Sequence, residues 1–407
     1  MENQKTKKGW GLFVLGTVVG LLVSLVITSV IFRDEVTYEE KKTSKKSKTG
    51  SELVDEDVLK KIDALEDIIR EKFYLSEVTE EQLETGLYRG MIRALNDPYA
   101  EYYTEEELQA LMEHSEGIYY GIGAYVAMDP ETQLPKISGI IAGAPAEESE
   151  LRPEDLVYMI DGTMTYGLTL TEATALIKGP EYTTVTLTVI REGESDYIDI
   201  EIERRKVESP TVNFEMYEDG IAYIQVTEFD EVTVNQFAEA LDKAKESDMD
   251  SLILDLRGNP GGNLSAVVEM ARMILPKGLI VYTEDKKGNR DEYSCNGKNQ
   301  IDVPMVVLID GNSASASEIL AGAIQDYGIG TLVGTTTYGK GIVQQIVSLK
   351  DGSAIKLTIS GYFTPNGRNI HGVGIEPDVE CKFDSEAYYN EENPYDNQLE
   401  KAKELLK

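Results

Sequence analysis

The chain has 407 residues, too long for one typical domain and suited to two or three. Hydrophobic residues make up 41% of it, enough for buried cores, and the formal net charge is −34. So negative a surface excludes nucleic acid as a partner, because nothing offsets phosphate repulsion, and otherwise describes a solvated acidic exterior.

Residues 1–9 carry Lys5, Lys7 and Lys8, and an uncharged apolar run follows over 10–32, from Trp10 to Phe32. At ~1.5 Å per residue that run crosses a ~30 Å hydrocarbon core, and the preceding lysines predict a cytoplasmic N-terminus. It is long for the apolar part of a signal peptide, and no A-x-A cleavage signal follows. The expectation is therefore a transmembrane signal anchor, single-pass in the cell membrane, with everything after Phe32 outside the cytoplasm; a cleaved signal peptide is the alternative. Residues 33–50, with EEKKTSKKSK at 39–48, read as a flexible linker.

Residues 51–112 read as a helical N-terminal region. Val58, Ile62, Leu65, Ile69 and Phe73 recur at spacings of three or four, and a second helical stretch covers Glu80 to Leu95. It ends at NDPYAEYY (96–103), where Asp97-Pro98 is a turn signal, and helix resumes over Glu105 to Met112. Such amphipathic helices dock on their own body or on a second copy of the chain, so a homodimer is one expectation.

Residues 113–207 read as a small β-rich module with two short helices. YYGIGAYVAM (119–128) is a glycine-punctuated entry into a strand, Leu170 to Ile177 is helical, and Val185 to Arg191 alternates as a strand. Over 208–383 strands and helices alternate. Ile221 to Val226, Ser251 to Leu256 and Met305 to Ile309 are β-rich apolar runs, and Val234 to Lys245, Leu264 to Leu275 and Ala316 to Tyr327 are helical. The alternation predicts an α/β core with a largely buried sheet, followed by a tail helix within 384–407.

The chemistry sits where strands end and helices begin, because unpaired backbone N–H groups point there. RGNPGG (257–262) follows one core strand and DGNSAS (310–315) another, so both loops can aim donors at one oxyanion. Ser315 to Glu318 fits S-x-x-E, which by itself is a capping box. Small neighbours, Ala314 and Ala316, leave the Ser315 hydroxyl accessible, and a helix N-terminus favours developing negative charge. The only histidines are His114 and His371, so a Ser-His-Asp arrangement has few ways to form. A lysine can replace the histidine if burial keeps it neutral, and Lys340 lies between Gly339 and Gly341, with Gln344 four residues on. From spacing alone, a surface lysine in a glycine turn explains Lys340 better. The two histidines are far apart and no Cys/His cluster has ligand spacing, so neither a metal nor another cofactor is expected. Cys295 and Cys381 are too few for a disulfide framework, and whether they pair stays open.

NSASASEILAGAIQDYG (312–328) followed by VGTTTYGKGIVQ (333–344) closely resembles the carboxyl-terminal processing proteases, tail-specific serine peptidases of the S41 family that carry a PDZ domain. MIRALNDPYAEYY (91–103), LILDLRGNPGG (252–262) and LTISGYFTPNGRNIHGVGIEPDV (357–379) extend the likeness over most of the chain from about residue 55. The resemblance implies an α/β multidomain architecture: a PDZ domain over 113–207 and a crotonase/ClpP-like S41 protease core over 208–383. It implies Ser315 as nucleophile, Lys340 as general base, Gln344 as the residue orienting the lysine, and backbone amides of Gly261 and Ala316 as the oxyanion hole. It further implies that Gly121, Ile122, Gly123 and Ala124 receive a substrate C-terminus, the peptide then adding as a strand. The partners so implied are proteins or peptides with exposed C-termini. One departure stands out: where the family often has G-x-x-G-T, this chain has GPEYTT (179–184), with Tyr182 at the second glycine.

Overall fold

The computed structural model describes residues 29–30, 53–390 and 394–407. The chain divides into two compact units, one holding residues 110–341 and 361–407, the other 29–109 and 342–360.

The larger unit is built on a sheet in the order Val212–Met216, Ile221–Val226, Ser251–Asp255, Met305–Ile309, Thr331–Gly334, Val379–Glu380. The first pair is antiparallel and every later pair is parallel. All residues of Ser251–Asp255 and Met305–Ile309 are buried, which is why these strands read as unbroken apolar runs rather than alternating ones. The helix Glu231–Glu246 makes the crossover before Ser251 and buries Phe237 and Leu241. The helix Ala316–Tyr327 makes the crossover after Met305–Ile309 and stops at Gly328, whose φ of 64° is the left-handed conformation glycine adopts at no steric cost. Arg257, just past a central strand, bonds the buried Asp255, and also Asp396 and Gln398 at the start of the tail helix Asn397–Leu405.

The β-rich module of the same unit is an antiparallel sheet ordered Ala124–Met128, Pro135–Ile140, Leu156–Ile160, Thr184–Ile190, Ile198–Glu203. Ile122, Ile137, Val157, Ile160, Leu187 and Ile200 form its own core. The helix Leu170–Ile177 starts at a capping box in which Thr169 and Glu172 exchange bonds, and it buries Ala173 and Ile177 in that core. Ala124–Met128 lies at the edge of the sheet. Tyr182 has φ 64° and its N–H donates to the Arg204 carbonyl at 2.8 Å. The tyrosine thus holds a backbone conformation that favours glycine, at a steric cost of ~1 kcal/mol.

In the smaller unit, Asp55 caps the helix Glu56–Lys72, and Thr79 and Gln82 form a capping box on Glu80–Arg93. Neither helix buries a residue, and Leu65, Ile68, Leu87 and Met91 are exposed. The strand Glu101–Tyr103 pairs antiparallel with residues 354–356.

The expected transmembrane helix over 10–32 requires correction. Among the described residues no helix is long and apolar enough to cross a membrane. Ser29 and Val30, the residues of that segment that are described, form a strand paired in parallel with Gln344 and Gln345, so their backbone bonds run between strands and not along a helix. The rest of 10–32, with residues 1–9 and the linker 33–50, lies outside the described residues. Cys295 and Cys381 are both free thiols; the Cys295 Sγ donates to the Leu275 carbonyl at 3.3 Å.

Candidate active site

Two loops leave neighbouring parallel strands and are stitched to each other. The Asp310 carboxylate accepts from the N–H groups of Gly258, Asn312 and Ser313. The Ser313 hydroxyl donates to the Leu256 carbonyl at 2.8 Å, and the Ser317 hydroxyl and Ala314 N–H both reach the Asn259 carbonyl. Serine and asparagine suit such a junction because their short polar side chains bond backbone locally.

Ser315 sits at the point where the second loop turns into the helix Ala316–Tyr327. Its φ of 54° and ψ of −110° place a non-glycine residue in a sparsely populated region, a strain of order 1–3 kcal/mol. A serine on a strained strand-to-helix turn is the geometry by which α/β enzymes lift a nucleophile out of the chain. Ser315 is 2% exposed. Gly261 packs directly against it: a Cβ there would lie 2.8 Å from the Ser315 Cβ and 3.0 Å from the Ala316 N, with φ +107° besides. Only glycine allows that approach. Ala316 opens the helix, a position whose N–H has no intrahelical acceptor. The Gly261 N–H donates to Asn259 Oδ1 at 2.8 Å, so that donor is engaged within its own turn.

Lys340 belongs to the same unit and is 5% exposed. The glycines on either side of it have steric reasons. A Cβ on Gly339 would meet the Gly374 N at 2.9 Å, and one on Gly341 would meet the His371 N at 2.6 Å. The segment 372–374 therefore presses the lysine loop into the body, with the Gly372 N–H donating to the Gly339 carbonyl. The neighbouring Tyr338 N–H donates to the Ser313 carbonyl at 3.0 Å, tying the Lys340 loop to the Ser315 loop.

Glu318 completes that tie. It is fully buried in the first turn of the helix Ala316–Tyr327. Its Oε2 accepts from the N–H groups of Ser315 at 2.8 Å and Lys340 at 2.9 Å. Its Oε1 accepts from the Thr337 hydroxyl at 2.5 Å and the Gly339 N–H at 2.7 Å. Burial pushes its carboxyl up from the ordinary value, and these bonds pull it back toward the charged form. One carboxylate thereby sets the backbone at both Ser315 and Lys340. The Tyr362 hydroxyl adds a bond to the Ser315 carbonyl at 3.0 Å. The capping-box spacing identified Glu318 as a helix cap; its reach to residues 337–340 depends on a loop that arrives only in the fold. Nothing local marked Thr337, Tyr362 or Asn259.

Gln344 belongs to the smaller unit, where its Nε2 donates to the Thr358 hydroxyl at 3.1 Å. In the β-rich module, Gly121–Ala124 lead into the edge strand. The carbonyls of Ile122 and Gly123 accept from Ala146 and Ile141, and Gly123 has φ +75° with no room for a Cβ beside Ala144. The edge strand and the helix Leu170–Ile177 share one core, and among the described residues the outer edge of the strand pairs with no other strand.

Comparison with known proteins bears on this arrangement. Residues 220–381 match the family model of peptidase family S41, residues 136–191 that of the PDZ domain, and residues 18–107 that of the activating protease CtpB N-terminal domain. The chain is 34% identical to the carboxyl-terminal-processing protease of Synechocystis sp., over 83% of this chain and 80% of that one. It belongs to the S41 carboxyl-terminal processing peptidases. The carboxy-terminal processing protease CtpA of Bacillus subtilis is 35% identical over 76% of this chain and 66% of its own. Among solved structures, the photosystem II D1 C-terminal processing protease is 29% identical, covering 78% of this chain and 86% of that one with a TM-score of 0.46. As an S41 peptidase the chain is a serine-type peptidase of the C-terminal processing class, and its substrates are proteins.

Proposed function

We propose that this S41 peptidase cleaves with a Ser315–Lys340 dyad. The observation that carries the reading is Glu318, whose single carboxylate bonds the backbone N–H of both residues. In the proposed reaction the Lys340 amine accepts the Ser315 hydroxyl proton as Oγ bonds the peptide carbonyl carbon. The carbonyl electron pair moves to its oxygen, toward the N–H groups at the helix start, among which Ala316 is the nearest to the nucleophile in sequence. Collapse expels the amine, which takes the proton from Lys340, and leaves an acyl-enzyme. Lys340 then takes a proton from water as it attacks the acyl carbon and gives that proton to Ser315 Oγ as the ester bond breaks, which releases the acid and restores the enzyme. An amine must be uncharged to serve in this way, and removal from water favours that state. Gln344, four residues beyond the lysine, is assigned the role of orienting it.

The edge strand Ala124–Met128 supports a second element of the reading: a substrate C-terminus adds as a strand, with its carboxylate received by N–H groups over Gly121–Ala124. The exposed apolar faces of Glu56–Lys72 and Glu80–Arg93 support a second copy of the chain as a partner.

The test compares wild type, Ser315→Ala and Lys340→Arg on a fluorogenic peptide with a free C-terminus. Both variants bind the peptide and neither turns it over, because arginine does not give up its proton at working pH. Turnover by Ser315→Ala refutes the nucleophile, and turnover by Lys340→Arg refutes the base. A C-terminally amidated peptide binds at least about tenfold more weakly if the carboxylate is read; equal binding refutes that assignment.

A further inference from the structure

Away from the dyad, His114, Glu228 and Asp230 bring one ring nitrogen and two carboxylate oxygens within 4.8 Å of one another. His114 lies in the last turn of the helix Glu105–Glu116, and the two acids flank Phe229 where the chain enters the helix Glu231–Glu246. The approach is built into the backbone. At Gly117 a Cβ would meet Val232 Cγ2 at 2.5 Å and Asp230 Cβ at 3.0 Å, so only glycine lets the end of the histidine's helix come this close. Asn263 pins the same helix, donating from Nδ2 to the Ser115 carbonyl at 2.9 Å.

Asp230 is 2% exposed, and its Oδ1 is buried with no hydrogen-bond partner among the described residues. A buried carboxylate oxygen left in that state is costly. The His114 side remains exposed to solvent, which provides a path of entry.

We propose that His114, Glu228 and Asp230 form a binding site for a divalent transition-metal ion, with Zn²⁺ or Mn²⁺ as the chemistry of choice. Two carboxylates balance the charge of one such ion, and one imidazole with two carboxylates is a donor set that favours these ions over Mg²⁺ and Ca²⁺. Ligand bonds of ~2.1 Å hold any two donor atoms no more than ~4.2 Å apart, so atoms now within 4.8 Å of one another draw together on binding. The site would brace the peptidase loop that holds Gly261. Between the two acids, the Phe229 N–H donates to the Gly261 carbonyl at 2.9 Å, and the Phe229 carbonyl accepts from Asn263 N at 2.6 Å. The spacing of His114 from the two acids in the chain hides the set from any motif search.

The test uses the full chain, stripped with chelator and held in excess Mg²⁺ to mask its acidic surface. Zn²⁺ and Mn²⁺ are titrated in separately by calorimetry, with thermal unfolding followed in parallel. Wild type is expected to bind one ion per chain and to unfold at a higher temperature with it. His114→Ala, at an exposed position, and the near-isosteric Glu228→Gln are each expected to weaken binding at least about tenfold and to remove the thermal shift. Absence of saturable binding to wild type overturns the proposal, as does wild-type affinity in either variant. These readouts do not involve turnover, so they stand or fall apart from the dyad.

Discussion

Glu318→Gln tests whether one buried carboxylate holds Ser315 and Lys340 in register. In wild type, Oε2 serves the Ser315 and Lys340 amides while Oε1 serves Thr337 Oγ1 and the Gly339 N–H. Glutamine keeps the shape but converts one oxygen into a donor. In the better of its two orientations the remaining oxygen keeps Ser315 and Lys340, and the new NH₂ can donate to Thr337 Oγ1 but opposes the Gly339 N–H. Hydrogen bonds to a charged group contribute roughly 1.5–3 kcal/mol, and a buried unpaired donor costs roughly 1–3 kcal/mol. The substitution should therefore cost about 2–4 kcal/mol in urea unfolding. Displacement of the lysine loop by about 1 Å would lower kcat about a hundredfold, because catalytic groups tolerate little misplacement. The paired measurement is the unfolding midpoint and kcat on the same preparation. Wild-type stability would refute the clamp itself. Lost stability with unchanged kcat would refute its link to catalysis and leave Glu318 as a helix cap.

Other expectations follow from the same geometry. Ser315→Gly should abolish turnover yet raise stability by ~1 kcal/mol, since glycine adopts φ 54° without strain; an unchanged or lower urea midpoint would count against the strained turn. Gly261→Ala should cost about 2–3 kcal/mol and at least a hundredfold in kcat, because its Cβ would lie 2.8 Å from both the Ala314 carbonyl and the Ser315 Cβ; near-normal kinetics would show that the two loops separate freely. Arg257→Ala strands the buried Asp255 and releases Asp396 and Gln398, for a loss of roughly 3–5 kcal/mol and early proteolytic clipping of the tail. A tail that stays protected in that variant would show that other contacts hold it. Paired Leu65→Glu and Met91→Glu substitutions should shift mass in light scattering from dimer to monomer with stability nearly unchanged, since both residues are exposed; a wild-type monomer would remove the second copy from the reading.

Local pattern determined a large part of this protein. The runs Ile221–Val226, Met305–Ile309, Leu170–Ile177 and Ala316–Tyr327 were readable residue by residue, because burial on both faces, helical spacing and caps are written in neighbouring side chains. The hairpin Gly278–Asp285 with Arg290–Cys295 went unread, since the second strand, RDEYSC, is mostly polar and takes its structure from pairing. The apolar run 10–32 shows the opposite limit: composition predicted a helix, and Ser29–Val30 lies in a strand because a partner strand satisfies its backbone. At the site, residue types and glycine spacing pointed to Ser315 and Lys340, whereas burial of the lysine and the strained turn at the serine exist only in the fold. Glu318 joins both cases. As the third residue of its helix it is a cap that any reader of the sequence finds. As the acceptor shared by residues 315, 337, 339 and 340 it depends on tertiary structure, because backbone N–H groups carry no sequence signature and only the packed loops direct them at one carboxylate.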